Sequence, residues 1–141
     1  MLYLRWVGSQ GDYLSYIRGK SNVVQVFDTM TDTVWAQKQY QLDSPIKGLG
    51  TLGKDVFELR HVLVTEKGRM IVDKVNDKKF IAEWQLPLLT GSKVTCSLQN
   101  PHSNNQVAVG CKDTLLQLWD LAKDKKPLWQ ARNLPNDELD L

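Results

Sequence analysis

The stretch LLQLWDL, residues 115–121, is a short β-rich block that carries apolar residues on both alternations and ends in Leu118, Trp119 and Asp120. A strand with one wet face alternates apolar and polar positions, so this one is expected to be covered on both sides. An earlier block closes in the same way, with Val26, Phe27 and Asp28 at the end of VVQVFD. Phe27 and Trp119 lie 92 positions apart, twice 46, and halfway between them stand Ile71, Val72 and Asp73.

The same kind of block recurs along the whole chain. Candidate strands cover 4–7, 13–18, 23–27, 34–40, 46–52, 61–66, 70–75, 79–86, 94–98, 106–110, 115–121 and 127–132. Clusters such as GSQGD, RGKSN and NPHSNN separate them and supply turn chemistry. Only KDVFELRHVL (54–63) also fits a helical face, through Val56, Leu59 and Leu63. It lies between Gly53 and Gly68, which leaves little room for a stable helix. The strands form three sets of four, over 4–40, 46–86 and 93–133, and the fourth strands carry Trp35, Trp84 and Trp129. Four strands per unit at a period in the mid-forties predicts an all-β fold, a WD40-type β-propeller fragment of about three blades. A lone blade cannot bury its two apolar faces, which is why neighbours must stack on it.

Bulk composition agrees with a globular chain. Of 141 residues, 42% are apolar and 24% charged, with a net charge of +2 that demands neither a nucleic-acid nor a membrane partner. Cys96 and Cys111 are the two cysteines, which is too few for a disulfide scaffold. No apolar run approaches the roughly 20 residues of a membrane span, and Arg5 interrupts the first apolar residues before a signal-type core forms. These features predict a soluble protein of a reducing compartment, cytosol or nucleus.

Several patterns invite a chemical reading. GLGTLG (48–53) spells GxGxxG, with Asp73 twenty positions beyond Gly53. That motif holds a pyrophosphate only where a strand feeds a helix N-terminus. Here Pro45 interrupts the approach and another strand follows, so strand glycines at a crowded axis are expected instead. Gly19-Lys20-Ser21 lacks the glycine a P-loop needs at position 14, where Leu14 stands. His61 and His102 have no metal-ligand spacing around them and sit in no evident Ser/His/Asp arrangement, and each cysteine reads as a small buried apolar residue. The expectation is no enzyme, no cofactor and no metal. The lysines are more suggestive: Lys78, Lys79, Lys123, Lys125 and Lys126, with Arg132, fall mostly in connections where they can meet phosphates or a partner.

Two stretches resemble the WD repeat-containing protein 74 family of ribosome-assembly factors. LRWVGSQGDYLSYIRGKSNVVQVFD (4–28) is similar to that family's opening repeat. QNPHSNNQVAVGCKDTLLQLWDLAKDKKPLWQARNLPNDELDL (99–141) is the stronger match. Its Asn100-Pro101 turn, the Trp119-Asp120 strand, Ala131-Arg132-Asn133 and Asn136-Asp137-x-Leu139-Asp140-Leu141 stand where the family's motifs stand. Residues 46–49 and 63–68 are similar but looser. Val109-Gly110-Cys111 replaces the family's Thr-Gly-Gly, and Arg132 replaces a common lysine. The Gly-His pair of ordinary WD40 repeats is absent, so their His–Ser/Thr–Trp hydrogen-bond network is not expected around Trp119.

The resemblance implies a seven-bladed propeller of the nucleus and nucleolus that binds precursors of the large (60S) ribosomal subunit. It implies a docking platform for rRNA and other assembly factors, linked to pre-rRNA processing and released by an AAA-type ATPase, with no catalytic residues to carry over. A WD40-type protein-interaction platform elsewhere in the cell is the alternative. The apolar residues and turn chemistry of WQARNLPNDELDL (129–141) lead to the further expectation that 134–141 begins a fourth blade.

Overall fold

The computed structural model describes residues 3–8, 10–18, 20–87, 93–103, 105–112, 116–122 and 126–131. Its strands are β1 (Leu4–Trp6), β2 (Tyr13–Ile17), β3 (Val23–Asp28) and β4 (Thr33–Gln39), then β5 (Ile46–Leu52), β6 (Arg60–Thr65), β7 (Arg69–Asn76) and β8 (Lys79–Pro87). The last four are β9 (Val94–Gln99), β10 (Gln106–Cys111), β11 (Leu116–Asp120) and β12 (Pro127–Gln130). Each set of four forms its own antiparallel sheet in sequential order. Consecutive sheets share no ladder; they stack face to face, as blades do. The chain is all-β, three consecutive blades of β-propeller type.

The helical alternative at 54–63 is corrected to a single 3-10 turn, Val56–Glu58. Asp55 caps it, its carboxylate accepting from the backbone N–H of Phe57 and Glu58, and Leu59 is already extended. The chain then enters β6 with Val62 and Val64 on one face and Leu63 on the other, a period of two that a helix cannot satisfy.

A repeated bulge carries the 46-residue period. The pairing of third with fourth strand slips between Val26 and Phe27, between Val72 and Asp73, and between Leu118 and Trp119. Val26, Val72 and Leu118 are therefore equivalent, and their partners are Ala36, Trp84 and Trp129. Trp84 and Trp129 share a register, whereas Trp35 sits inside the first bulge and meets Tyr13 edge-on at 5.6 Å. The extra residue in each bulge strengthens the local twist that lets neighbouring blades fan around an axis.

Two seams hold the stack. Blades two and three meet through Val62, Val64, Met70 and Val72 on one side and Val94, Val107, Val109 and Trp119 on the other. Blades one and two meet through Ile17, Val24 and Tyr40 against Leu49, Leu63 and Ile71. Fully burying each such aliphatic side chain contributes about 1.5–3 kcal/mol, so these seams outweigh any single polar contact. At the axis the innermost strands are clipped together. The Thr51 hydroxyl of β5 donates to the Trp6 carbonyl of β1 at 2.8 Å, and the Gln99 amide of β9 spans the Thr51 backbone, accepting from its N–H at 2.6 Å and donating to its carbonyl at 2.9 Å.

Of the glycines of GxGxxG, Gly48 lies in this crowded place, Gly50 has ordinary room for a methyl group, and Gly53 turns at φ +108° after β5 against the Glu58 carbonyl. Gly48 and Gly50 are in β5, and a Cβ added at Gly48 would stand 1.6 Å from Ser97 Oγ and 2.7 Å from Ser97 Cβ of β9. No phosphate site is formed, because the strand continues where the motif needs a helix. Gly48→Ala is expected to destabilise the chain by about 1–3 kcal/mol through overpacking. Urea titration checks this: adding Ser97→Gly should recover most of the loss, and a double variant as unstable as the single one would refute the contact.

Candidate functional site: interaction surfaces

Antiparallel blades send alternate connections to opposite rims. The connections β2–β3, β4–β5, β6–β7, β8–β9 and β10–β11 share one rim, and the others lie at the opposite one. Charge separates with them. Among described residues, the first rim carries Arg18, Lys20, Lys67, Lys93 and Lys112 in its connections, against the carboxylates Asp43 and Glu66. Lys47, one residue into β5, adds to it. Glu66 serves two lysines, Lys47 at 3.4 Å and Lys93 at 3.6 Å, and Asp43 lies 3.9 Å from Lys67. The opposite rim carries Asp12, Asp32, Asp55, Glu58 and Asp77 against Lys54, Lys78 and Lys126.

The structure sets Lys78, Lys79 and Lys126 on or beside that acidic rim, with Lys78 in a positive-φ turn after Asp77. Lys123, Lys125, Arg132, Asn133, Asn136, Asp137, Leu139, Asp140 and Leu141 lie outside the described residues. Trp119 and Asp120 end β11, and Ala131 follows β12, its N–H bonded to the Leu116 carbonyl at 2.8 Å. Trp119 is buried, and its indole N–H donates to Gln117 Oε1 two residues earlier, at 3.0 Å.

A buried polar seam between blades one and two went unrecognised in the sequence. Ser15 Oγ of β2 and His61 Nε2 of β6 are 2.7 Å apart, and His61 is paired across the ladder with Asp73 of β7. Asp73 accepts from Lys38 Nζ at 2.8 Å and from the Tyr40 hydroxyl, both of blade one. His61 also stacks on Phe80 at 5.2 Å. Burial lowers its pKa to about 4, with the Asp73 charge pulling the other way. Burial first, then the hydrogen bond to Asp73, pushes the Tyr40 hydroxyl up.

Ser15, His61 and Asp73 thus form a serine, histidine and aspartate grouping, but not a catalytic geometry. Asp73 is turned onto Lys38 and Tyr40, and its Oδ1 and His61 Nδ1 have no hydrogen-bond partner. All three residues are at most 1% exposed, and none lines a described cavity. A nucleophile must reach substrate and its histidine must be oriented by the third group; here the grouping joins two blades. Of the cysteines, Cys111 is buried as expected, and Cys96 is exposed. Among the described residues no three His, Cys, Asp or Glu side chains gather as a metal ion requires.

No protein-family model matches the chain. It is 38% identical to WD repeat-containing protein 74 of Bos taurus over 73 residues, 52% of this chain and 18% of that protein. It is 32% identical to the Homo sapiens protein of the same name over 80 residues, 57% of this chain and 21% of that protein. The Mus musculus protein of that name is 36% identical over 66 residues, 47% of this chain and 17% of that protein. The matched stretch therefore spans about a fifth of the length of these relatives. Blade order, the 46-residue bulge period and three partial matches under one name make about half of this chain similar to WD repeat-containing protein 74.

Proposed function

We propose that this protein is a non-catalytic WD-repeat scaffold in ribosome biogenesis, acting in assembly of the large subunit and in pre-rRNA processing. The observation that carries the reading is the similarity to WD repeat-containing protein 74 in three mammals, on a fold whose described chemistry lies in surfaces. A stack of blades offers two rims of connections on a rigid frame, which suits simultaneous contact with several partners. The partners proposed are pre-60S particles, their rRNA, other assembly factors and an AAA-type ATPase, and the place is the nucleolus.

Gradient sedimentation of the tagged protein from cell extract tests this. It is expected to co-migrate with particles containing large-subunit pre-rRNA, detected by hybridisation. Exclusive migration with complexes lacking pre-rRNA would replace this function with a general WD40-type interaction platform.

A further inference from the structure

The segregation of charge between the rims carries an inference about how the protein meets a partner. On the basic rim, cations come from the connections of all three blades. Arg18 and Lys20 stand in blade one, Lys67 in blade two and Lys112 in blade three, with Lys93 before β9. Among the described residues the two carboxylates of that rim, Asp43 and Glu66, are already engaged, Glu66 by two lysines at once. A cavity of about 550 Å³ opens there, lined by Tyr3, Lys20, Ser21, Asn22, Ser44 and Lys47 among others. Beside it a second, of about 620 Å³, is lined by Arg18, Lys20, Ser21 and Lys38 among others.

The chemistry of the two rims differs in a second respect. Among described residues, the basic rim's connections present no exposed large apolar side chain, whereas the opposite rim's present Met30 and Phe57, 77% and 80% exposed. An acidic peptide binds best where apolar anchors accompany the charge. A nucleic-acid backbone needs the reverse: cations spaced along a path, polar hydrogen-bonding side chains, and an aromatic ring where a base can stack.

We infer that the described residues of the β2–β3, β4–β5 and β6–β7 connections, together with Lys112 after β10, form an RNA-backbone docking surface, with Arg18, Lys20 and Lys112 as its phosphate contacts and the Tyr3–Lys47 cavity receiving a nucleotide. The inference rests on the proposed ribosomal function only in choosing RNA as the biological polyanion. The surface itself is built from the charge pattern. Contacts of this kind position a strand without reading its sequence.

The test uses the 141-residue chain and a fluorescein-labelled oligouridylate of about 20 nucleotides, followed by anisotropy. The triple variant Arg18→Glu, Lys20→Glu, Lys112→Glu is expected to bind about tenfold more weakly or worse. Its slope of log Kd against log salt should flatten by about 2, at roughly 0.7 per lost phosphate contact on a single strand. The matched triple Lys54→Glu, Lys78→Glu, Lys79→Glu on the acidic side should change binding by less than about threefold. Thermal melts of both variants should stay close to the parent, which separates lost contacts from lost fold.

Equal weakening by both triples, stronger weakening by the second, or no RNA binding by the parent would overturn the inference. So would tighter binding of labelled polyglutamate of matched charge, which would make the partner an acidic polypeptide. The proposed function fails differently. A basic-rim variant that still co-migrates with pre-rRNA particles would sink this surface and leave the scaffold standing.

Discussion

At tens of micromolar, the 141-residue chain is expected to sediment as a dimer or larger and to bind a hydrophobic dye. The reason is a row that runs across each end face of the stack. In blade two, Gly50, Val62, Val72 and Trp84 stand opposite one another from strand to strand, and Val62, Val72 and Trp84 belong to the core shared with blade three. In blade three the equivalent row is Leu98, Ala108, Leu118 and Trp129, with Leu98 62% and Trp129 54% exposed. The far face of blade one carries Trp6, Leu14, Phe27 and Val34 in a row of its own, with Trp6 54% exposed. A contiguous apolar sheet face is a binding surface or an aggregation site.

Because the two end faces differ, contact between copies is head to tail and can continue from copy to copy. Leu118→Ser with Trp129→Ser should therefore shift the protein toward monomer while leaving the inner seams intact. Analytical ultracentrifugation reads both states. A parent chain that is monomeric at that concentration and binds no dye would show the rows to be inert.

Asp73→Ala is expected to cost about 2–3 kcal/mol, the scale of a buried hydrogen bond to a charged group. Asp73 is 1% exposed and holds Lys38 and Tyr40 across the seam, so its loss leaves two donors facing an apolar gap. Part of the Lys38 side chain reaches solvent, which keeps the loss below that of a fully buried ion pair.

The same seam gives a pH dependence. His61 titrates near 4 in the folded chain and near 6.5 when unfolded, so below 6.5 the unfolded state binds the extra proton. The contribution of neutral His61 is complete above pH 6.5, shrinks as pH falls, and is gone below about 4. Over that window the loss amounts to roughly 3 kcal/mol. Ser15, Asp73 and Phe80 surround the ring, and Lys38 and Tyr40 meet it only through Asp73. Urea titrations from pH 7 to 4 should show a smaller fall in His61→Gln than in the parent. Parallel curves would mean that His61 is not buried neutral.

The sheets were largely legible because alternation and turn chemistry are local. Ile46–Leu52 is read as a strand from its residues alone, and LWD, VFD and IVD mark the third strands. What required three dimensions was long-range. Ser15 and His61 are one repeat apart and meet only once blades stack, so no spacing rule within a motif finds them. Trp35 misled because a bulge, which composition does not mark, moves it one position out of register with Trp84 and Trp129. The charge pattern was readable in principle. Once the strands are antiparallel, alternate connections share a rim, and sorting the lysines by that parity separates Lys20, Lys67 and Lys112 from Lys54, Lys78 and Lys126.

The twelve strands form three separate four-stranded blades. Nuclear Overhauser contacts in the end-face variant test this most directly. Three blades give ladder contacts between Hα protons within β1–β4, β5–β8 and β9–β12, none between β4 and β5 or between β8 and β9, and a close contact from the Gly48 Hα protons to the Ser97 side chain. Continuous ladder contacts from β4 into β5 and from β8 into β9 would instead describe one closed sheet and contradict the propeller.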